Sequence, residues 1–183
     1  MVCMSLAGGT GSGVGSFYTE YLRDEYPRST IINNCVWPFS TGEVILQNYN
    51  FLLTLNKLYE NSDALILLEN DILHKICKRI LNFSSLKSKG SLSNSDQRRS
   101  LISNKKEITF DDLNSLIGHQ LASLIQPATS SYSNQNYLND VLTDLCSSND
   151  FKLLSLYSVP NISKQAIEFS SFQWPGLYRN ARQ

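Results

Sequence analysis

The chain is 183 residues long and carries 16 basic and 16 acidic residues, so it can fold around a real core, and its net neutrality removes the electrostatic case for a nucleic-acid or anionic-membrane partner. Its longest apolar run, Ala64-Leu65-Ile66-Leu67-Leu68, is far short of the roughly 20 residues a membrane helix needs, and no charged segment precedes a signal-type core. Cys3, Cys35, Cys77 and Cys146 lie far apart without a C-x-x-C pair, which suggests neither a zinc knuckle nor a disulfide framework and reads as reduced, mostly buried thiols in a soluble intracellular protein.

In chain order, Met1 to Leu6 is apolar enough for a buried strand and runs directly into the glycine loop Gly8-Gly9-Thr10-Gly11-Ser12-Gly13. Val14 to Tyr26, with Phe17, Tyr21 and Leu22 between charged residues, predicts an amphipathic helix stopped at Pro27. Thr30 to Trp37 predicts the next strand, and Pro38 to Asn50 a loop carrying Gly42. A helix follows with Leu52, Leu55 and Leu58 on one side. Ala64 to Leu68 suits a parallel strand covered on both faces, and Asp71 to Leu81 has helical spacing through Ile72, Ile76 and Ile80. This alternation predicts an α/β fold with a mostly parallel, Rossmann-like sheet.

Ser84 to Lys106 shifts to Ser, Asn, Lys and Arg and reads as a flexible basic surface insertion, its charges solvated in preference to contacting an acidic partner, and without a role in chemistry. Thr109 is a credible N-cap for a long helix placing Phe110, Leu113, Ile117, Leu121 and Leu124 inward, with Pro127 near its end. Tyr137 to Leu145 reads as helix and Phe151 to Val159 as a partly buried strand. His74 and His119 sit on predicted helices without partners at metal spacing, so structural roles are expected and no metal site is assigned.

A glycine run between strand and helix lets backbone N–H groups approach a phosphate and adds the positive end of the helix dipole. Val14 stands where a P-loop needs Lys, G-x-G-x-x-G fails in every register, and Ser12 lacks the glycines of a nucleophile elbow. From the residues alone, a bland glycine-rich turn and a phosphate loop with the Thr10 and Ser12 hydroxyls as donors both stand.

Ala7-Gly8-Gly9-Thr10-Gly11-Ser12-Gly13 resembles the signature of the tubulin family, with Ala7 replacing its leading glycine. Tyr49-Asn50, Glu69-Asn70-Asp71 and Phe110-Asp111-Asp112-Leu113-Asn114 follow in that family's order, resembling the end of its ribose loop, the residues after a strand and the start of its central helix. The resemblance implies GTP or GDP as cofactor, with Ala7, Gly8, Gly9, Thr10, Gly11, Ser12 and Gly13 around the phosphates and Glu43 on the ribose. Asn70 and Asn114 would read guanine, since an amide offers both donor and acceptor, and Phe110, four residues before Asn114, would stack on the base. Gln47 stands where relatives often carry an acid.

In the family, hydrolysis needs an acid presented by the next subunit. Asp140 is the nearest match here, and an exposed helix aspartate without catalytic duty remains the other reading. The wording of Trp37 to Ile45, Glu69 to Cys77 and Gly118-His119-Gln120-Leu121 is most similar to a branch associated with centrioles, basal bodies, triplet microtubules and cilium assembly. Other tubulins or centriolar proteins are therefore the implied partners, in the cytoplasm and cytoskeleton.

Against that fold, 1–108 is expected to be a partial GTP-binding domain with 84–107 as the insertion, 109–130 a central core helix and 131–183 a partial intermediate domain. The loops implied for the remaining phosphate oxygens and Mg2+ would precede this stretch. The chain is thus expected to be a partial sequence or truncated product that binds GTP weakly or not at all by itself and does not hydrolyse it alone. Two other functions are weighed: an α/β enzyme taking a phosphorylated small molecule, and a non-hydrolysing interaction module.

Overall fold

The computed structural model describes residues 1–41, 45–87, 108–126, 137–148, 150–159 and 173–181. The strands are β1 (Val2–Ser5), β2 (Ile32–Trp37), β3 (Ala64–Glu69) and β4 (Leu153–Ser155). The helices are α1 (Gly9–Glu25), α2 (Gln47–Asn61), α3 (Asn70–Lys87), α4 (Phe110–Ile125), α5 (Tyr137–Leu145) and α6 (Trp174–Ala181). The chain divides into two compact units, one of Met1–Asp71 with His119–Leu156 and the other of Ile72–Gly118 with Tyr157–Gln183.

The first unit holds a four-stranded sheet in the order β1-β2-β3-β4, with every neighbouring pair parallel. This is the expected α/β architecture. Strands in such a sheet are covered on both faces and need continuous apolar runs. β3 has one, with Ala64, Leu65, Ile66 and Leu68 buried. Met4, Leu6, Cys35, Leu58 and Leu65 form the core cluster, with Trp37 and Phe51 packed against it at 4.3 Å between ring centroids. Fully buried leucines such as Leu58 and Leu65 each contribute about 1.5–3 kcal/mol.

β2 departs from the apolar pattern, because Asn33 and Asn34 are both buried. Asn33 Nδ2 donates to Ser62 Oγ at 2.6 Å and Asn34 Nδ2 to Cys3 Sγ at 3.3 Å, while neither Oδ1 has a partner among the described residues.

α1 inverts the sequence expectation. Its buried residues are Ser12 and Thr19, whereas Val14, Phe17, Tyr18 and Tyr21 form an exposed stripe. The cause is close approach to β1. A Cβ on Gly11 would lie 2.5 Å from Ser5 O and 2.9 Å from Ser5 N, and one on Gly15 2.9 Å from Met4 Sδ. Only small side chains fit that face, and their hydroxyls are satisfied within the helix: Ser16 donates to Ser12 O at 2.5 Å and Thr19 to Gly15 O at 2.9 Å.

α2 starts at Gln47, so the predicted loop is shorter than expected. It buries Thr54 and Leu58, half-buries Leu55 and leaves Leu52 exposed, correcting the expected leucine face. α1 and α2 are tied by Lys57–Glu20 at 2.9 Å, and Arg23 meets Asp63 at 2.7 Å, where Asp63 Oδ2 also accepts the Ile31 N–H at 2.7 Å. These pairs are partly exposed and each is worth little alone.

β4 is held by its neighbours as much as by its ladder. Leu65 N donates to Lys152 O at 2.8 Å, the buried Lys152 ammonium donates to Tyr59 O at 3.0 Å, and Tyr59 OH donates to Asp150 O at 2.9 Å. The observed strand covers only three residues of the predicted Phe151 to Val159.

In the second unit Leu73, Cys77 and Leu113 are buried, with Cys77 Sγ donating to Asp112 O at 3.7 Å. Thr109 caps α4 as expected. Its N–H and Oγ1 each meet Asp112 Oδ2, at 3.0 and 2.9 Å, while Asp112 N donates back to Thr109 Oγ1 at 3.3 Å. Phe110, expected inward, is 72% exposed, because the buried side of α4 begins one turn later, at Leu113, and includes Gln120.

The thiols are unequal. Burial, aided by Cys3, pushes the Cys35 thiol up to about 12 from 9.0, and burial raises Cys77 and Cys146; Cys3 is exposed. Native maleimide labelling is expected to modify Cys3 first and Cys35 last, with mass mapping as the readout. Because the folded Cys35 thiol ionises later than the unfolded one, its stabilising contribution is full below pH 9 and lost as pH rises towards 12. Cys35→Ala should flatten that alkaline limb of the stability curve.

Candidate functional site

The C-terminal ends of parallel strands are where open α/β sheets bind ligands. β1 delivers the glycine segment to that edge and β3 delivers Asn70, the two strands flanking β2 at a separation of about 10 Å. Leu6 N donates to Val36 O at 3.2 Å and continues the ladder to the start of the turn.

The turn is tighter than the sequence suggests. It ends at Gly8, the N-cap of α1, so Gly9 to Gly13 form the first helical turn and not a free loop. Glycines oppose helix by roughly 1 kcal/mol each. Gly11 is required by its contact with Ser5, while a Cβ on Gly9 or Gly13 would meet nothing within 4 Å.

Gly8 caps without a side-chain bond, leaving the first-turn N–H groups of Gly9, Thr10 and Gly11 as the helix's orphan donors at its positive end. Ser12 is different. Its backbone N–H donates to Gly8 O at 3.3 Å, and its buried hydroxyl donates to the same carbonyl and to Gly9 O at 3.2 Å. Of the two hydroxyls considered as phosphate donors, the structure commits Ser12 to the helix and leaves Thr10 exposed.

Ala7 is buried beneath this turn, and its carbonyl accepts from Asn50 Nδ2 at 3.4 Å. Asn70 is half-buried as the first residue of α3, next to Asp71, whose Oδ2 accepts the Ser40 N–H at 3.0 Å. Gln47 Nε2 donates to Phe39 O at 3.0 Å. An acid at that position could not make this bond, since a carboxylate and a carbonyl are both acceptors.

Phe110 and Asn114 belong to the second unit, one helical turn apart and both exposed at the start of α4. Asp140 is exposed in the first turn of α5. Glu43 lies outside the described residues. His74 and His119 are exposed, and among the described residues no three His, Cys, Asp or Glu side chains converge to hold a metal. Asn50 and Asp71 are structural contributors that sequence reasoning missed; their signal was a polar residue in the first turn of a helix that follows a sheet-edge loop.

The all-parallel sheet with helices between its strands defines an α/β fold of the tubulin GTPase-domain class, and the chain belongs to the tubulin family: residues 1–78 match the Tubulin/FtsZ family, GTPase domain. Within the family the likeness is to tubulin delta chains. The chain is 41% identical over 186 aligned positions to the tubulin delta chain of Macaca fascicularis and 40% identical to that of Homo sapiens, in each case across 100% of this chain and 36% of the relative. The tubulin gamma chain of Eremothecium gossypii is 44% identical over 81 residues, covering 44% of this chain and 17% of its own. The chain therefore spans about 36% of the length of the delta relatives it matches. Among the described residues no helix is long and apolar enough to cross a membrane.

Proposed function

We propose that this chain supplies part of the nucleotide-holding region of a delta-tubulin-like, GTP-binding cytoskeletal protein that acts with other tubulins or centriolar proteins at centrioles and basal bodies in cilium assembly. The observation that carries the reading is the start of α1, where the first-turn N–H groups of Gly9, Thr10 and Gly11 lie at the positive helix end and a Cβ on Gly9 would meet nothing within 4 Å. That cradle fits a phosphate group. Gly9, Thr10 and Gly11 donate to its oxygens, the helix dipole favours its charge, and the Thr10 hydroxyl adds a donor.

By the family resemblance, Asn70 and Asn114 are the amides assigned to guanine, Phe110 the ring assigned to the base, and Glu43 the acid assigned to the ribose. Phe110 at 72% exposure is a ring with area left to cover. Any Mg2+ accompanying the phosphates would be held in the complete protein through loops other than these. Asp140, exposed on α5, is presented to the nucleotide of a neighbouring subunit, so hydrolysis belongs to an assembly and not to the single chain.

The test is displacement of a fluorescent GTP analogue by GTP or ATP from the purified chain, its Asn70→Ala and Asn114→Ala forms alongside. GTP is expected to compete better than ATP, with the preference reduced about tenfold in either variant through loss of paired amide contacts. Equal competition by both nucleotides, unaltered by the substitutions, would reduce the site to a generic phosphate loop and overturn the guanine assignment.

A further inference from the structure

Three side-chain bonds cross the sheet edge where the glycine segment and Asn70 emerge, and none is part of a strand ladder or a helix. Asn50 Nδ2 reaches Ala7 O after β1 at 3.4 Å, Gln47 Nε2 reaches Phe39 O after β2 at 3.0 Å, and Asp71 Oδ2 receives the Ser40 N–H at the start of α3 at 3.0 Å. Asn50 and Gln47 lie in the first turn of α2, one turn apart, so one helix end grips two successive loops. Phe39 and Ser40 are adjacent, which links that grip to Asp71, the neighbour of Asn70.

We propose that Asn50, Gln47 and Asp71 are positioning residues that hold the phosphate-facing turn and the base-facing Asn70 in register with each other. This rests on the nucleotide-site reading above and adds to it a device for coupling the two ends of the ligand.

The chemistry is directional. Asn50 and Gln47 are the donors and the two carbonyls can only accept, so replacing either amide by a side chain of similar size without the N–H breaks the link and leaves packing in place. Asp71 suits the other end, because a carboxylate in the first turn of a helix is favoured by the dipole while it accepts the Ser40 N–H. No member of the tie has to touch the nucleotide.

A ligand that uses only the phosphate cradle does not require the two ends to be in register. One that engages both the cradle and Asn70 does. Loss of the tie should therefore weaken GTP more than ATP, with the thermal midpoint of the nucleotide-free chain little changed, because these bonds lie at half-buried or exposed positions.

The experiment measures dissociation constants for GTP and ATP on the chain, on Asn50→Asp and on Gln47→Met, together with each nucleotide-free melting midpoint. About fivefold weaker GTP binding per variant, with ATP changed less than twofold and the midpoint held, supports the tie. Parallel losses for both nucleotides with a lowered midpoint would show ordinary destabilisation and overturn it, as would unchanged GTP affinity in both variants. Should the unsubstituted chain bind GTP and ATP equally, the guanine reading itself fails and the coupling falls with it, an outcome distinguished by the parent protein alone.

Discussion

Gly11→Ala is expected to destabilise the chain by about 2–3 kcal/mol or more, read as a lowered urea midpoint, because the new methyl would lie 2.5 Å from Ser5 O and 2.9 Å from Ser5 N. Those are backbone atoms of β1, so relief requires the helix and strand to separate. The gain in helix propensity from removing a glycine, about 1 kcal/mol, opposes the clash and does not cancel it. The neighbouring glycines give the controls. At Gly15 the obstacle is the Met4 thioether, a flexible tip that can swing aside, so Gly15→Ala should be near neutral. At Gly9 and Gly13 nothing lies within 4 Å, and alanine there should raise the midpoint slightly; under the proposed phosphate reading, the methyl at Gly9 should also weaken nucleotide binding. A Gly11→Ala chain that melts like its parent would refute the close approach.

Asn33→Asp should be the other severe change. The two side chains have nearly the same shape, so packing is preserved, yet the substitution places a carboxylate at a fully buried position with Ser62 Oγ as its neighbour at 2.6 Å. Burying an ion with one hydrogen bond costs several kcal/mol, of the order of 3–5. The pH dependence follows in sign. Burial raises the folded-state pKa of the new acid above its unfolded value of about 3.9, so the variant is least impaired below pH 4 and loses stability progressively as pH rises through the raised value. Melting midpoints of variant and parent should diverge from pH 4 to 8. A constant difference across that range would mean the position is wetter than its burial indicates.

The sheet was legible in the sequence chiefly through β3, since the run Ala64 to Leu68 could hardly be anything but a covered parallel strand. The faces of the helices were harder to read. Phe17 and Tyr21 suggested the buried side of α1, but backbone proximity to β1 left room only for Gly11, Ser12, Gly15 and Thr19, and hydroxyls that bond their own helix are not costly to bury. Hydrophobic periodicity assumes a side-chain-sized gap between layers, and here that gap is closed. Thr54 replacing Leu52 on the inner face of α2, and Gln120 lying buried on α4 while Phe110 is exposed, show the same limit of reading polarity as position.

The glycine segment follows β1 as the sequence indicated, but its form differs. Glycine's poor helix propensity argued for a loop up to Val14, whereas the chain coils at Gly9 because packing on β1 outweighs propensity. Asn70 follows β3 as the motif order indicated. The tie through Asn50 could not be read, because it depends on which carbonyl the first turn of α2 happens to overlie.

The pairing of β4 with β3 joins Leu65 to Leu153, 88 positions apart, whereas β1 and β2 join Val2 to Asn33. Closing a longer loop costs only logarithmically more, about 0.6 kcal/mol for each doubling of length. Three residues of ladder and the Lys152–Tyr59 clasp thus fix the far end of the sheet nearly independently of how much chain intervenes. Between β3 and β4, positions outside the helices can therefore take insertions whose closure cost grows only slowly with length.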